Sequence, residues 1–280
     1  MRLLSKPRPE YVEQCLSCDS TFFYFGAANV VSHKELYSNE NLYQDYLDVA
    51  NKPSQDQRYG EAIDRIKMML SGVDSPTIFD VGAGAGDFLI KARDQGFRIA
   101  GNEVSRPAIE ECQRRHGIEL SLGDNLHAIA KNANGYDAVT MWCVIAHVDD
   151  PEQLLQGVKA LLRPGGVLFL STPRYCAIDR IAMVLRTLTG DRYRRIFDRR
   201  INRGHRRQYS RRGMEAFLRR EGFVPVAVEP AIGYGLHMAA YLNSVGLPTL
   251  ISKMVGQILE LLAMKGLLPR NVLNVYAKSL

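Results

Sequence analysis

Ile78-Phe79-Asp80-Val81-Gly82-Ala83-Gly84-Ala85-Gly86-Asp87-Phe88 decides the fold of this chain. A short run of strand character enters a glycine-rich turn, and the turn opens a stretch of helical period. Gly82 and Gly84 lack the Cβ that would keep a ligand away from the backbone, and a helix starting at Asp87 offers free N–H groups at its positive end.

Outward from this turn, from Glu61 onward, apolar runs of strand length alternate with longer stretches of helical period. That rhythm implies an α/β fold with a parallel sheet. Strands are expected at Thr77–Val81, Arg98–Glu103, 118–120, 137–142, 166–171, 223–228 and 271–278, with helices between them. Pro107 and Gly117 bracket one helix, Arg106–His116, and Asp150-Pro151-Glu152 opens another that runs to about Leu162. Two regions break the rhythm: residues 1–57 read as an N-terminal appendage, and 175–208 as an insertion near the substrate side. A further helical insertion is expected at 236–268, which leaves 58–280 as the main domain.

Composition excludes disorder and simple coiled coil: of 280 residues, 46% are hydrophobic and 24% charged. Cys15, Cys18, Cys112, Cys143 and Cys176 are scattered and odd in number, which fits a reducing compartment and a cytoplasmic protein. The opening MRLLSKPRPE carries charge and two prolines where an export signal needs an apolar stretch. Asn243, Lys253, Gln257 and Glu260 interrupt the most apolar region, so no spanning helix of ~20 residues is expected. The net charge of +6 is unevenly spread. Residues 191–220 hold twelve arginines against three acids, +9, and the remainder is near neutral at −3. A cationic segment of this kind points to an anionic partner: a phosphate-bearing substrate, an acidic lipid surface or nucleic acid.

Two acids follow the glycine turn at successive strand ends. Glu103 closes the second strand, where a carboxylate can accept from both hydroxyls of a ribose, and Asp124, in Gly123-Asp124-Asn125, follows the third, in reach of an adenine amine. Each alone reads as a loop residue or a cap; together they trace one adenosine. A nicotinamide dinucleotide turn, G-x-G-x-x-G, would need glycine where Asp87 stands, and a carboxylate there opposes a pyrophosphate. A ligand with a cationic group suits it better, and S-adenosylmethionine carries an ammonium and a sulfonium.

The DVGAGAGD loop, Glu103, Gly123-Asp124, the stretch YDAVTMWCVIAHVDDPEQLL at 136–155 and LLRPGGVLFLSTP at 161–173 resemble the class I S-adenosylmethionine-dependent methyltransferases, and more closely their ubiquinone-biosynthesis-like small-molecule branch, over about residues 58–228. The resemblance implies a Rossmann-like, mostly parallel sheet of seven strands in the order 3-2-1-4-5-7-6, helices on both faces, and 271–278 as the antiparallel closing strand. It also implies S-adenosyl-L-methionine as cofactor. Asp80, Gly82, Ala83 and Gly84 would surround its methionine part, with Glu103 on the ribose, Asp124 and Asn125 beside the adenine, and Trp142 and Cys143 flanking it. Arg58 would meet the cofactor carboxylate or lie at the surface. The acceptor would be a small molecule methylated at oxygen. An NAD-dependent oxidoreductase and a non-catalytic nucleoside-binding protein are the competing functions.

Methyl transfer from a sulfonium asks an enzyme to align the reactants and remove at most one proton. His147, five residues past the fourth strand, is one candidate base, and His205, in the GHRRQYS stretch at 204–210, is the other. Both also read as residues that anchor their loops. In the ubiquinone branch, acids one and four positions before the first histidine are associated with a divalent metal. Here those positions are Ala146 and Cys143, so no oxygen-ligated Mg²⁺ site, and no metal, is expected.

Cys15-Leu16-Ser17-Cys18 has the spacing of half a zinc knuckle, but His33 is the only early histidine. It reads as a degenerate knuckle or as packing. Phe22, Phe23, Tyr24 and Phe25, with Tyr37, Tyr43, Tyr46 and Tyr59, read as a lid over the substrate or as core of the appendage. Ile178, Ile181, Val184, Leu185 and Leu188 recur at helical spacing beside the arginine cluster, which suits an anionic membrane face or a helical lid with solvated arginines. No nucleic-acid-binding module or Asn/Asp-Pro-Pro-Tyr-type motif accompanies the cluster, and nucleic acid is not an expected partner.

Overall fold

The computed structural model describes residues 2–3, 11–24, 52–131, 133–190, 192, 195, 205–233 and 237–280. Phe25, Tyr37, Tyr43 and Tyr46 of the expected lid, the early histidine His33, and Arg194, Arg199, Arg200 and Arg203 of the cationic segment lie outside the described residues.

In chain order the elements are β1 (Arg2–Leu3), β2 (Tyr11–Gln14), β3 (Thr21–Tyr24), α1 (Lys52–Met69), β4 (Thr77–Val81), α2 (Asp87–Asp94) and β5 (Arg98–Glu103). Next come α3 (Arg106–His116), β6 (Ser121–Leu122), α4 (Leu126–Ala130), β7 (Tyr136–Trp142), α5 (Pro151–Leu161) and β8 (Leu162–Pro173). The last third adds α6 (Ala177–Thr189), β9 (Arg207–Gln208), α7 (Arg211–Arg220), β10 (Phe223–Ala231), α8 (Met238–Ser244), α9 (Thr249–Met264) and β11 (Val272–Ser279).

Seven strands form the central sheet in the order β6-β5-β4-β7-β8-β11-β10, with β11 antiparallel to both neighbours. Numbered from β4, this is the expected 3-2-1-4-5-7-6. The third strand departs from the sequence reading: Ile118 turns inward to the core, and pairing with Asn102 and Glu103 is made only by Ser121 and Leu122. Side chains alternate across the pleat, so Ile78, Ala138, Val167 and Phe169 pack under α1, α2 and α3, while Phe79, Val139, Leu168 and Leu170 pack under α4, α5 and α7. Helix ends follow their sequence signals. Ser105 Oγ accepts the N–H of Ala108, Gly117 closes α3 at φ 65°, and Asp150 Oδ1 accepts the N–H of Gln153 at the start of α5.

The N-terminal strands join β9 in a second sheet, β1-β2-β3-β9. Cys15 and Cys18 lie in the β2–β3 turn, which docks on the start of α7: Ser210 Oγ donates to Cys18 O, and a Cβ on Gly213 would press on Ser20 and Cys18. Tyr59, on α1, meets Phe88 and Trp142 edge-on at 5.5 and 4.6 Å and packs against the core.

Candidate active site

The carboxyl ends of the parallel strands fall on one edge because their registers align Val81 with Met141, Asn102 with Ser121, and Trp142 with Ser171. Strand order reverses direction around β4, and a crevice opens at such a switch point. The glycine turn sits there. Gly82, Gly84 and Gly86 all hold positive φ, 69°, 56° and 80°. Only glycine takes that sequence of conformations without strain. At Gly82 a Cβ would come within 2.8 Å of Val144 Cγ2, and at Gly86 within 2.5 Å of Cys112 Sγ. The last glycine therefore lets α2 close onto α3.

Glu103 fastens the turn. Its Oε2 accepts the Gly84 N–H at 2.9 Å, and its Oε1 accepts the N–H groups of Val104 and Ser105 at 2.7 and 3.0 Å. A carboxylate offers about four acceptor sites, so one remains for a ligand hydroxyl. Asn102 lies beside it, with its Nδ2 donating to Gly123 O at 2.7 Å. Asp124 is exposed at the next strand end, and Asn125 Oδ1 caps α4 by accepting the Ala128 N–H at 3.0 Å.

Asp87 faces away from the expected cation. Its Oδ1 meets Arg115 Nη2 at 3.0 Å and His116 Nε2 at 3.4 Å at the end of α3. Its charge is balanced within the protein, so its bearing against a dinucleotide rests on side-chain bulk at the helix start and not on repulsion.

Asp80 is the buried acid of the site. Because it is in register with Thr140, it accepts that residue's hydroxyl at 2.6 Å. Burial pushes its carboxyl up to about 8, the Thr140 hydrogen bond opposes the rise, and the charge of Glu103 adds to it. Arg58, on α1, donates from Nη2 to Ser171 Oγ at 2.7 Å and lies over the Trp142 ring at 5.4 Å. Trp142 itself packs against Tyr59, Phe88 and Phe169.

The chain turns sharply after β7. Cys143 holds φ 61°, rare for a side-chain-bearing residue, and its N–H donates to Ser171 O at 2.8 Å. Its Sγ lies 3.6 Å from His147 Nε2 and 3.5 Å from His205 Nε2, and the two imidazole rings stand 4.4 Å apart. His205 reaches this place because the segment before α7 clamps onto the His147 loop. The Arg206 N–H donates to Ala146 O at 2.7 Å, Arg207 Nη2 donates to Asp149 O at 3.0 Å, and Arg206 Nε pairs with Asp149 at 3.0 Å. Cys143 is exposed as a residue, yet its thiol is packed deeply enough that burial pushes it up to about 11, against the pull of Arg58. The structure thus gathers the two candidate bases, His147 and His205, around Cys143, which was expected to flank the cofactor.

The methyltransferase domain family matches residues 54–228 of this chain. The ubiquinone biosynthesis O-methyltransferase of Haemophilus ducreyi is 32% identical over 117 residues, 38% of this chain and 49% of that protein. The corresponding enzyme of Cupriavidus pinatubonensis is 29% identical over 109 residues, 37% and 43%. The chain therefore spans about half the length of the curated relatives it matches. Among solved structures, magnesium protoporphyrin IX methyltransferase from Synechocystis PCC 6803 with bound SAH aligns at a TM-score of 0.50 with 14% identity, covering 81% of this chain and 84% of that one, a likeness of fold.

Proposed function

This chain belongs to the S-adenosylmethionine-dependent methyltransferases, and on that premise we propose that it moves a methyl group from S-adenosyl-L-methionine to an oxygen of a small-molecule acceptor. The observation that carries the reading is the single carboxylate of Glu103, which fastens the glycine turn through Gly84 and keeps one acceptor site for a ribose hydroxyl. Three further features fit the cofactor. The positive-φ turn leaves room for close approach of a ligand to backbone. Asn102 Oδ1 and Trp142 Nε1 are buried at this edge with no hydrogen-bond partner among the described residues. A sulfonium or ammonium near Asp80 would favour the charged form that burial disfavours.

When bound, the cofactor supplies a methyl group on a cationic sulfur that leaves as a neutral thioether. The protein's share is alignment. Glu103, Asp124 and the Gly82–Gly84 turn hold the nucleoside and methionine parts, and Arg58 and Trp142 close the β7–β8 side. The Cys143, His147 and His205 cluster stands on the acceptor side, where the hydroxyl proton departs. Incubation with methyl-labelled S-adenosylmethionine and a metabolite extract tests the reading. Label appearing on a small molecule at an alkali-stable ether or a labile ester position supports it; cofactor binding with no label transferred favours a non-catalytic nucleoside-binding protein.

We further propose that the acceptor side is carried on an anionic lipid surface. No helix among the described residues is long and apolar enough to cross a membrane. Yet α9 packs on α8 through its small residues, Ser252 and Gly256, and turns Leu250, Met254, Ile258 and Leu261 outward, each more than half exposed. Ile181, Val184 and Leu188 of α6 are exposed as well, and the +9 segment follows that helix in the chain.

A further inference from the structure

We propose that Cys143, His147 and His205 form a binding site for zinc, or for another divalent metal that prefers thiolate and imidazole, with a fourth position open to an acceptor oxygen. The metal site stands on its own geometry; only the last clause rests on the methyltransferase reading.

Tetrahedral zinc, with Zn–S near 2.3 Å and Zn–N near 2.0–2.1 Å, sets a ligand sulfur and a ligand nitrogen about 3.6 Å apart. Cys143 Sγ lies 3.6 Å from His147 Nε2 and 3.5 Å from His205 Nε2, and the three donor atoms fall within 4.8 Å of one another. The two histidines come from separate segments of the chain and direct Nε2 at the same sulfur.

The backbone around them is specialised for that convergence. Cys143 carries a left-handed φ of 61°, a strained conformation that persists where the surroundings impose it. The third donor comes from the segment before α7, held to the His147 loop by the Arg206 and Arg207 contacts with Ala146 and Asp149. His147 is buried, at 8% exposure, while Cys143 and His205 leave the cluster reachable from the crevice.

The donor set selects the metal. One thiolate and two imidazoles suit zinc and discriminate against Mg²⁺ and Ca²⁺, which take oxygen ligands. Three protein ligands with an open fourth position is the arrangement of catalytic zinc sites, in contrast to closed structural ones. A hydroxyl bound at that position would release its proton to water more readily than it does free in solution, leaving an oxygen nucleophile facing the methyl donor.

Tag-free protein produced in zinc-supplemented medium and dialysed should carry stoichiometric zinc by elemental analysis. Cobalt loaded in its place should show a thiolate-to-cobalt charge-transfer band. Cys143→Ser should abolish the band, and His205→Ala should weaken metal affinity by more than the roughly 10- to 100-fold typical of an outer-shell loss. Cys15→Ser with Cys18→Ser should keep both metal and band. Circular dichroism checks that each variant is folded, and His205→Asn serves if the alanine variant is not. A folded wild type without metal, a cobalt spectrum lacking thiolate character, or a band that survives in Cys143→Ser would overturn the proposal. Failure of the wild type to bind S-adenosylhomocysteine would contradict the methyltransferase reading and leave the metal site standing.

Discussion

Glu103 Oε2 accepts the N–H of Gly84 at 2.9 Å, so the acid at the end of β5 holds the glycine turn that follows β4. The residue assigned to a ribose is thereby also a brace of the loop that meets the rest of the ligand.

Replacing Glu103 by Ala should weaken S-adenosylhomocysteine binding roughly 10- to 150-fold, the equivalent of ~1.5–3 kcal/mol for a hydrogen bond to a charged group. Glu103→Gln should do little better, because an amide NH₂ opposes either the Gly84 N–H or those of Val104 and Ser105. Calorimetric titration of both variants checks this. Near-wild-type affinity in Glu103→Gln would remove the bracing role.

Asp80 makes stability depend on pH with a definite sign. Its folded pKa, about 8, lies above the ordinary carboxylate value, so the folded state binds a proton that the unfolded state has lost. The stabilising effect is complete below roughly pH 4 and is lost as pH rises towards about 8. Asp80→Asn, which keeps an oxygen for the Thr140 hydroxyl, should gain thermal stability over the wild type across that window and match it at the acidic end. Parallel melting curves for the two proteins at several pH values would show this; parallel pH dependences would contradict the buried acid.

Two glycines separate conformation from packing. Gly117→Ala meets open space and should cost only the left-handed penalty, about 1–2 kcal/mol. Gly86→Ala carries the same penalty and also drives a Cβ to within 2.5 Å of Cys112 Sγ, so it should cost clearly more. Denaturant titration of the pair is the comparison. Equal losses would mean that α2 and α3 are not closely packed at Gly86.

Vesicles test the lipid surface. Liposomes with acidic headgroups should retain the protein at low ionic strength and release it at high salt, as screening shortens the Debye length to about 3 Å at 1 M. Met254→Glu with Ile258→Glu should weaken retention by placing charge on the outward face of α9. Equal retention by neutral vesicles would replace the electrostatic contribution with a purely apolar one.

Most of the sheet was legible because its central parallel strands carry their own punctuation. Thr77–Val81 and Arg98–Glu103 are bounded by glycines and acids that fixed both ends. Strand β6 was not legible at its true place, since Ile118 and Leu120 supply an apolar signal while the pairing falls on Ser121 and Leu122 beyond them. The cofactor side was readable from local pattern, Gly82 to Gly86 and then Glu103. The role of Asp87 was not, because its partner Arg115 lies 28 residues on, and the spacing carries no trace of that ion pair. The Cys143–His205 contact spans 62 residues and depends on how the segment before α7 docks. The cysteine standing where the resemblance places an oxygen ligand is a signal that could have found it, though the sequence reading took it only as evidence against Mg²⁺. The outward apolar face of α9 inverts the usual rule, and only the small residues Ser252 and Gly256, four apart, marked the side that packs.

The most direct test of the account is calorimetric titration of the intact chain with S-adenosylmethionine and, separately, with NAD. Saturable, stoichiometric binding of the sulfonium nucleoside, with no heat from the dinucleotide, is the result predicted. Binding of NAD with none of S-adenosylmethionine would contradict the assignment of the crevice at the end of β4.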